Sequence, residues 1–166
     1  MLYHGIKIAI RNLSSMRTVI TYGTFDLFHV GHVRLLKRIR DLGDRLVVGL
    51  SSDEFNKVKG KKVIIPFADR KEILLSCRYV DDVFQENTWE QKREDIIREK
   101  AEIFAIGDDW AGKFDDLDDI VKVLYLPRTK DISTTELKTV IREINAEKLH
   151  EAKNVADHLV DLLRKI

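Results

Sequence analysis

The sequence predicts a single α/β domain in which a parallel sheet carries helices on both faces. Strand-length runs rich in β-branched and apolar residues alternate along the chain with segments of helical periodicity. One run, RLVVGL over residues 45–50, is almost continuously apolar, as a strand covered on both faces requires. A strand, a helix and a second strand succeed one another within residues 18–50, which is a βαβ unit.

Each element has its own local signature. TVITY (18–22) is β-branched and aromatic and ends at Gly23, marking a first strand. Leu35, Leu36, Ile39 and Leu42 recur at helical spacing within 32–42, and Gly43 stands where a helix C-terminus favours glycine. After the strand at 45–50, a helix is expected from Asp69 to about residue 79, with Cys77 inside it as a small buried apolar side chain. A short strand follows at 80–84, and Thr88-x-x-Gln91 is a capping box opening a charged helix. Residues 103–106 and 121–126 read as further strands, and Ser133-x-x-Glu136 starts another helix at Thr134. An amphipathic helix is expected over 147–166, with Leu149, Ala152, Val155, Ala156, Leu159, Leu163 and Ile166 on one face against its own domain or a sister subunit. The expected organisation is an N-terminal extension (1–16), a domain (17–146) and that C-terminal helix; Met16 could itself start the chain.

Composition narrows the function. The 166 residues carry 29 Lys+Arg against 28 Asp+Glu, a net charge of +1, so a broadly basic nucleic-acid or anionic-membrane binder is not expected. Any polyanionic partner must meet locally concentrated charge. With Cys77 as the only cysteine, neither an intrachain disulfide nor a multi-cysteine metal site can form. No apolar run approaches the ~20 residues of a membrane span, and the first 16 residues lack a signal-peptide core. No membrane insertion and a cytoplasmic, reducing compartment are therefore expected.

In open parallel sheets, ligands bind beyond the C-terminal strand ends, so the loops there are searched first. The loop after the first strand reads GTFDLFHVGH (23–32). His29 and His32 lie three apart at the opening of a helix, where both rings share one side and the free N–H groups favour an anion. Gly31 removes a side chain where a phosphate must approach closely. The alternative is two ordinary histidines near a cap. Neither G-x-x-x-x-G-K-[ST] nor G-x-G-x-x-G is present, so the H-x-G-H element takes the phosphate-facing role. The loop after the last strand brings Arg128, Thr129, Ser133, Thr134 and a second helix N-terminus to the same edge. Lys57, Lys59, Lys61 and Lys62, with Gly60 among them, read either as a mobile loop closing over phosphates or as a solvated surface. In GDDW (107–110), Asp109 could accept from the exocyclic amine of cytosine or simply start a helical turn. The acids at 115–119 read as a solvated face.

Gly-Thr-Phe-Asp followed by H-x-G-H, with a later R-T-x-x-x-S-T-T, resembles the cytidylyltransferase family of the H-x-G-H nucleotidyltransferase superfamily. The resemblance runs over roughly residues 17–145 and is strongest to members that act on glycerol 3-phosphate, through YGTFDLFHVGH, SSDEFN, RYVDDV, NTWEQK, GDDWAGKFD and YLPRTKDISTT. It implies a Rossmann-like fold, a homodimer, and transfer of cytidylyl from CTP to glycerol 3-phosphate, giving CDP-glycerol for teichoic-acid synthesis. Mg²⁺ would be held mainly by the substrate. The resemblance further implies that His29, His32, Thr24 and the backbone near Phe25 meet the triphosphate, with Lys59 and Lys61 reaching the phosphates. Asp109 and Arg128 would lie near the cytosine, and Thr129, Ser133 and Thr134 would form the second phosphate loop. Asp26, Lys59, Arg78 and Trp89 would serve the acceptor, Arg78 also at a dimer contact. Two other readings stay open: the same fold using another phosphorylated alcohol or ATP, and a non-catalytic nucleotide sensor.

Overall fold

The computed structural model describes residues 16–129 and 133–163; the expected N-terminal extension lies outside them except for Met16. The five strands are β1 (Thr18–Gly23), β2 (Arg45–Ser51), β3 (Asp82–Glu86), β4 (Ala101–Gly107) and β5 (Lys122–Leu126). All pair in parallel, in the order β3-β2-β1-β4-β5. The helices are α1 (Val30–Arg40), α2 (Asp53–Val58), α3 (Phe67–Leu75), α4 (Lys92–Arg98) and α5 (Thr134–Leu163). The expected Rossmann-like α/β sheet is present.

Alternation along the strands divides the core in two. Val19, Val48, Leu50, Ile103 and Ala105 face one layer with Leu36 and Ile39 of α1 and Leu74 of α3. Ile20, Tyr22, Phe104 and Ile106 face the other, with Ile96 of α4, Phe114 and Leu117. Neighbouring residues of one strand are thus buried on opposite sides, which is why the strands read as continuous apolar runs. Chain order reverses between β1 and β4, so the crevice beyond their C-terminal ends is the switch point where such sheets bind ligands.

Several boundaries differ from expectation. Helix α1 begins at Val30, because His29 rather than a later residue caps it. Helix α3 starts at Phe67, directly after Pro66, and stops at Leu75. Cys77 therefore lies in a turn, half-buried against the core, instead of inside a helix. The third strand starts at Asp82, not residue 80. Helix α2 was not anticipated; six residues are too few to display a 3.6-residue period. Gly43 follows the Asp41 C-cap, and its need for glycine is close packing: a Cβ there would sit 2.6 Å from the Arg17 carbonyl oxygen. Helix α5 is one continuous element across residue 146, and Leu149 and Val155 on its outer half are 74% and 71% exposed. The acids at 115–119 have structural partners: Asp115 accepts from the Tyr125 hydroxyl, and Asp119 pairs with Arg93.

Candidate active site

The site is built on the first turn of α1. His29 is its N-cap, and its Nδ1 accepts from the Gly31 N–H at 3.1 Å. His32, three residues on, accepts at Nδ1 from the His29 N–H at 3.4 Å. This is a capping box written with two imidazoles, satisfying N–H groups that a helix start leaves free. It also fixes the chemistry. With Nδ1 occupied as acceptor, a neutral ring carries its proton on Nε2, so each ring keeps an Nε2–H donor. The rings stack with centroids 3.9 Å apart, and Phe25 and Phe28 pack on His32. Burial drives the His32 pKa down to about 3, the neighbouring His29 adding to the effect and Asp26 opposing it. Burial also lowers His29, against the pull of Glu136. Both imidazoles are therefore neutral donors at ordinary pH.

The loop between β1 and α1 is strained and then locked. Phe25 and Leu27 adopt φ of 48° and 47°, at about 1–2 kcal/mol each relative to a relaxed backbone. Between them, the buried Asp26 carboxylate accepts from the N–H groups of Ile64 and Ile65, at 3.0 and 2.9 Å, and from Lys138 Nζ at 2.8 Å. Burial alone would raise its pKa; Lys138 and the two N–H groups outweigh that and hold it below the usual carboxylate range. Phe25 packs back on Gly23, where a Cβ would lie 2.6 Å from its ring. Thr24 donates to Asn56 at 2.7 Å, and its carbonyl accepts from the buried Arg70 guanidinium at 2.7 Å.

Helix α5 closes the other side. Thr134 Oγ1 donates to the Asp26 carbonyl at 3.1 Å and lies 3.4 Å from His29 Nε2. The two helix N-termini thereby meet at one hydroxyl. Ser133 caps α5 through the Glu136 N–H at 3.1 Å. Thr129 Oγ1 donates to the Gly31 carbonyl at 3.4 Å, and Arg128 pairs with Asp109 across the mouth.

These groups surround a cleft of about 560 Å³, a volume suited to a nucleotide. Of the expected site residues, Thr24, Phe25, Asp26, His29, Gly31, His32, Lys61, Asp109, Arg128, Thr129, Ser133 and Thr134 all line it. Three do not. Lys59 turns instead into a buried polar cluster, where its Nζ lies 2.6 Å from Ser51 Oγ and 3.6 Å from Glu86. It stands at the C-cap of α2, at the start of the 59–62 segment. Trp89 packs with Phe55, Trp110 and Phe114 beside that cluster, and Arg78 is exposed in the turn after α3.

Other lining residues were missed. Lys138 and Arg142 line the cleft one and two turns beyond Thr134, and Arg38 lies two turns beyond Gly31. Helical spacing from those motif residues would have found all three. Asp26 and Asp109 are each engaged by a cation, and among the described residues no three His, Cys, Asp or Glu side chains converge to hold a metal.

A parallel sheet whose switch-point cleft offers neutral imidazole donors, two helix N-termini and a ring of cations defines a site for a phosphate ester, the arrangement of a nucleotidyltransferase. The Cytidylyltransferase-like family model matches residues 20–140, and the chain belongs to that family. The glycerol-3-phosphate cytidylyltransferase of Bacillus subtilis (strain 168) is 56% identical over 126 residues, covering 76% of this chain and 98% of the relative. That of Staphylococcus aureus (strain NCTC 8325 / PS 47) is 50% identical over 123 residues, or 74% and 93% of the two chains. Among solved structures, the lipopolysaccharide core biosynthesis protein from Thermoplasma volcanium GSS1 superposes with a TM-score of 0.60 at 25% identity, covering 70% of this chain and all of that one.

Proposed function

We propose that this chain transfers the cytidylyl group of CTP to glycerol 3-phosphate, forming CDP-glycerol and pyrophosphate. The observation that carries the chemistry is the pair of neutral imidazoles, each with Nδ1 committed to the α1 cap and Nε2–H left to donate. Identity of 50–56% to proteins named for this reaction supports the substrates.

A phosphate oxygen of the acceptor attacks the α-phosphorus of CTP. The new O–P bond forms as the bond to the β-phosphate oxygen breaks, and pyrophosphate leaves with the electron pair. No covalent enzyme intermediate is involved. The work of the protein is positioning and stabilisation of charge growing on the phosphoryl oxygens. His29 and His32 donate to those oxygens, while Lys61, Arg128 and the N-terminus of α5 hold the departing pyrophosphate. Thr24 and the Phe25 backbone, Thr129, Ser133 and Thr134 orient the phosphates, and Asp109 would accept from the cytosine amine. Asp26 acts through its anchoring of the loop and of Lys138. Mg²⁺ fits a site whose carboxylates are already paired: it would ride on the triphosphate oxygens and neutralise their charge. Trp89 and Lys59, packed beside the cleft, would serve the acceptor. Arg78, exposed in the turn after α3 and outside the cleft lining, would serve an active site across the contact of a homodimer, which we include in the proposal.

A panel of nucleotides and phosphorylated alcohols, read by pyrophosphate release, tests the reading. Turnover should require CTP and glycerol 3-phosphate together and should cease with EDTA. Turnover with ATP but not CTP would overturn the base assignment, and CTP binding without release would make the protein a sensor.

A further inference from the structure

Beneath Trp89, outside the nucleotide cleft, lies a cluster of buried charges that the proposed reaction leaves unexplained. Glu86, at the C-terminal end of β3, is 1% exposed. One of its oxygens pairs with Lys92 of α4; the other accepts from Ser51 Oγ at 2.6 Å and lies 3.6 Å from Lys59 Nζ. Lys59 donates to the same Ser51 hydroxyl, which also sits 3.2 Å from the carbonyl of Gly23 on the cleft wall. The Lys59 ammonium is thus one hydroxyl removed from the nucleotide cleft, and a single carboxylate serves two buried ammonium groups.

From this arrangement we propose that Glu86 is a positioning residue for nucleotidyl transfer: its carboxylate, bridged by Ser51, holds Lys59 behind the wall of the cleft and keeps it charged. The proposal rests on the reading of Lys59 as a group that meets substrate phosphate.

The surroundings make a counter-charge necessary. The Lys59 ammonium is faced by Glu86 from β3, Lys92 from α4 and Lys61 from its own segment, with the Phe55 and Trp89 rings at 4.4 and 5.4 Å from its Nζ. Burial pulls its pKa down to about 8; Glu86 is the largest opposing influence, and Lys61 and Lys92 lower it further. An ammonium that loses its proton near pH 8 no longer attracts phosphate. Without the Glu86 charge that loss moves to lower pH, because the carboxylate stabilises only the charged form.

The experiment is the pH profile of kcat for CTP and glycerol 3-phosphate in wild type, Glu86→Gln and Glu86→Asp, with folding checked by circular dichroism. Wild type should show an alkaline limb near pH 8. In Glu86→Gln the limb should move about 1–3 pH units toward acid, with activity partly regained on lowering the pH. Glu86→Asp, shorter by one methylene, should fall between the two. A folded Glu86→Gln enzyme whose limb coincides with wild type would overturn the proposal, since a purely structural role lowers the melting temperature without moving the limb. Should Glu86→Gln not fold, Glu86→Asp decides, and a limb and kcat equal to wild type overturn the proposal. Failure of the wild-type enzyme to release pyrophosphate would instead strike the functional reading beneath it.

Discussion

At the scale of single residues, the histidine pair couples the folding of α1 to the proposed catalysis. The hydrogen bonds that cap α1 are also those that leave Nε2–H on each ring. Replacing His32 by Ala should lower kcat by on the order of 10²-fold with a smaller change in KM, as for other charge-stabilising donors; steady-state kinetics checks this. The depressed His32 pKa also has a consequence for stability. The unfolded ring titrates near 6.5 and the folded one near 3, so between these values the unfolded state binds more protons. Its contribution to stability is complete above pH 6.5 and is lost progressively as the pH falls toward 3. Urea titrations across this range should show a shallower acid loss in His32→Asn than in wild type. H-x-G-H was legible in the sequence because two histidines three apart at the opening of a helix share one side of its first turn. The direction taken by Lys59 was not, because it depends on Glu86, 27 residues away on another strand. Nothing local in SSDEFNKVKGKK reports that carboxylate.

Among the elements, α5 joins a half that lines the cleft to an exposed half. Thr134, Lys138 and Arg142 share one face at intervals of four residues and line the cleft, whereas residues 147–156 are exposed. Thr134→Val removes the hydroxyl between Asp26 and His29 and should raise the CTP KM about 5- to 10-fold, the effect of a net hydrogen bond of about 1–1.5 kcal/mol. Ending the chain after residue 146 should leave kcat and KM within about twofold, since every α5 residue of the cleft is retained. Pyrophosphate-release assays of both variants decide. The capping box at Ser133 made the start of α5 legible, and periodicity carried it onward. The short α2 was invisible to periodicity, although its Ser52 cap is a genuine signal: the hydroxyl accepts from the Phe55 N–H at 3.1 Å.

Across the whole molecule, near-neutral charge conceals a strongly basic cleft. Among the described residues six cations line it (Arg38, Lys61, Lys62, Arg128, Lys138 and Arg142) against the carboxylates of Asp26 and Asp109, although the chain carries only +1 overall. A small polyanion is attracted there without the surface becoming a general nucleic-acid binder. Lys61→Ala should weaken CTP binding by more than its effect on kcat, and added salt should narrow the difference from wild type. Strand alternation and loop chemistry made this edge of the sheet legible; the reversal of order between β1 and β4 was not, because strand order follows from long-range pairing. The central claim is attack by glycerol 3-phosphate at the α-phosphorus of CTP. It is tested most directly by reacting CTP with glycerol 3-phosphate labelled with ¹⁸O in its phosphate and following the products by ³¹P NMR. The account predicts CDP-glycerol with ¹⁸O in the diphosphate bridge and unlabelled pyrophosphate; label in the pyrophosphate, or a product without a labelled bridge, would contradict it.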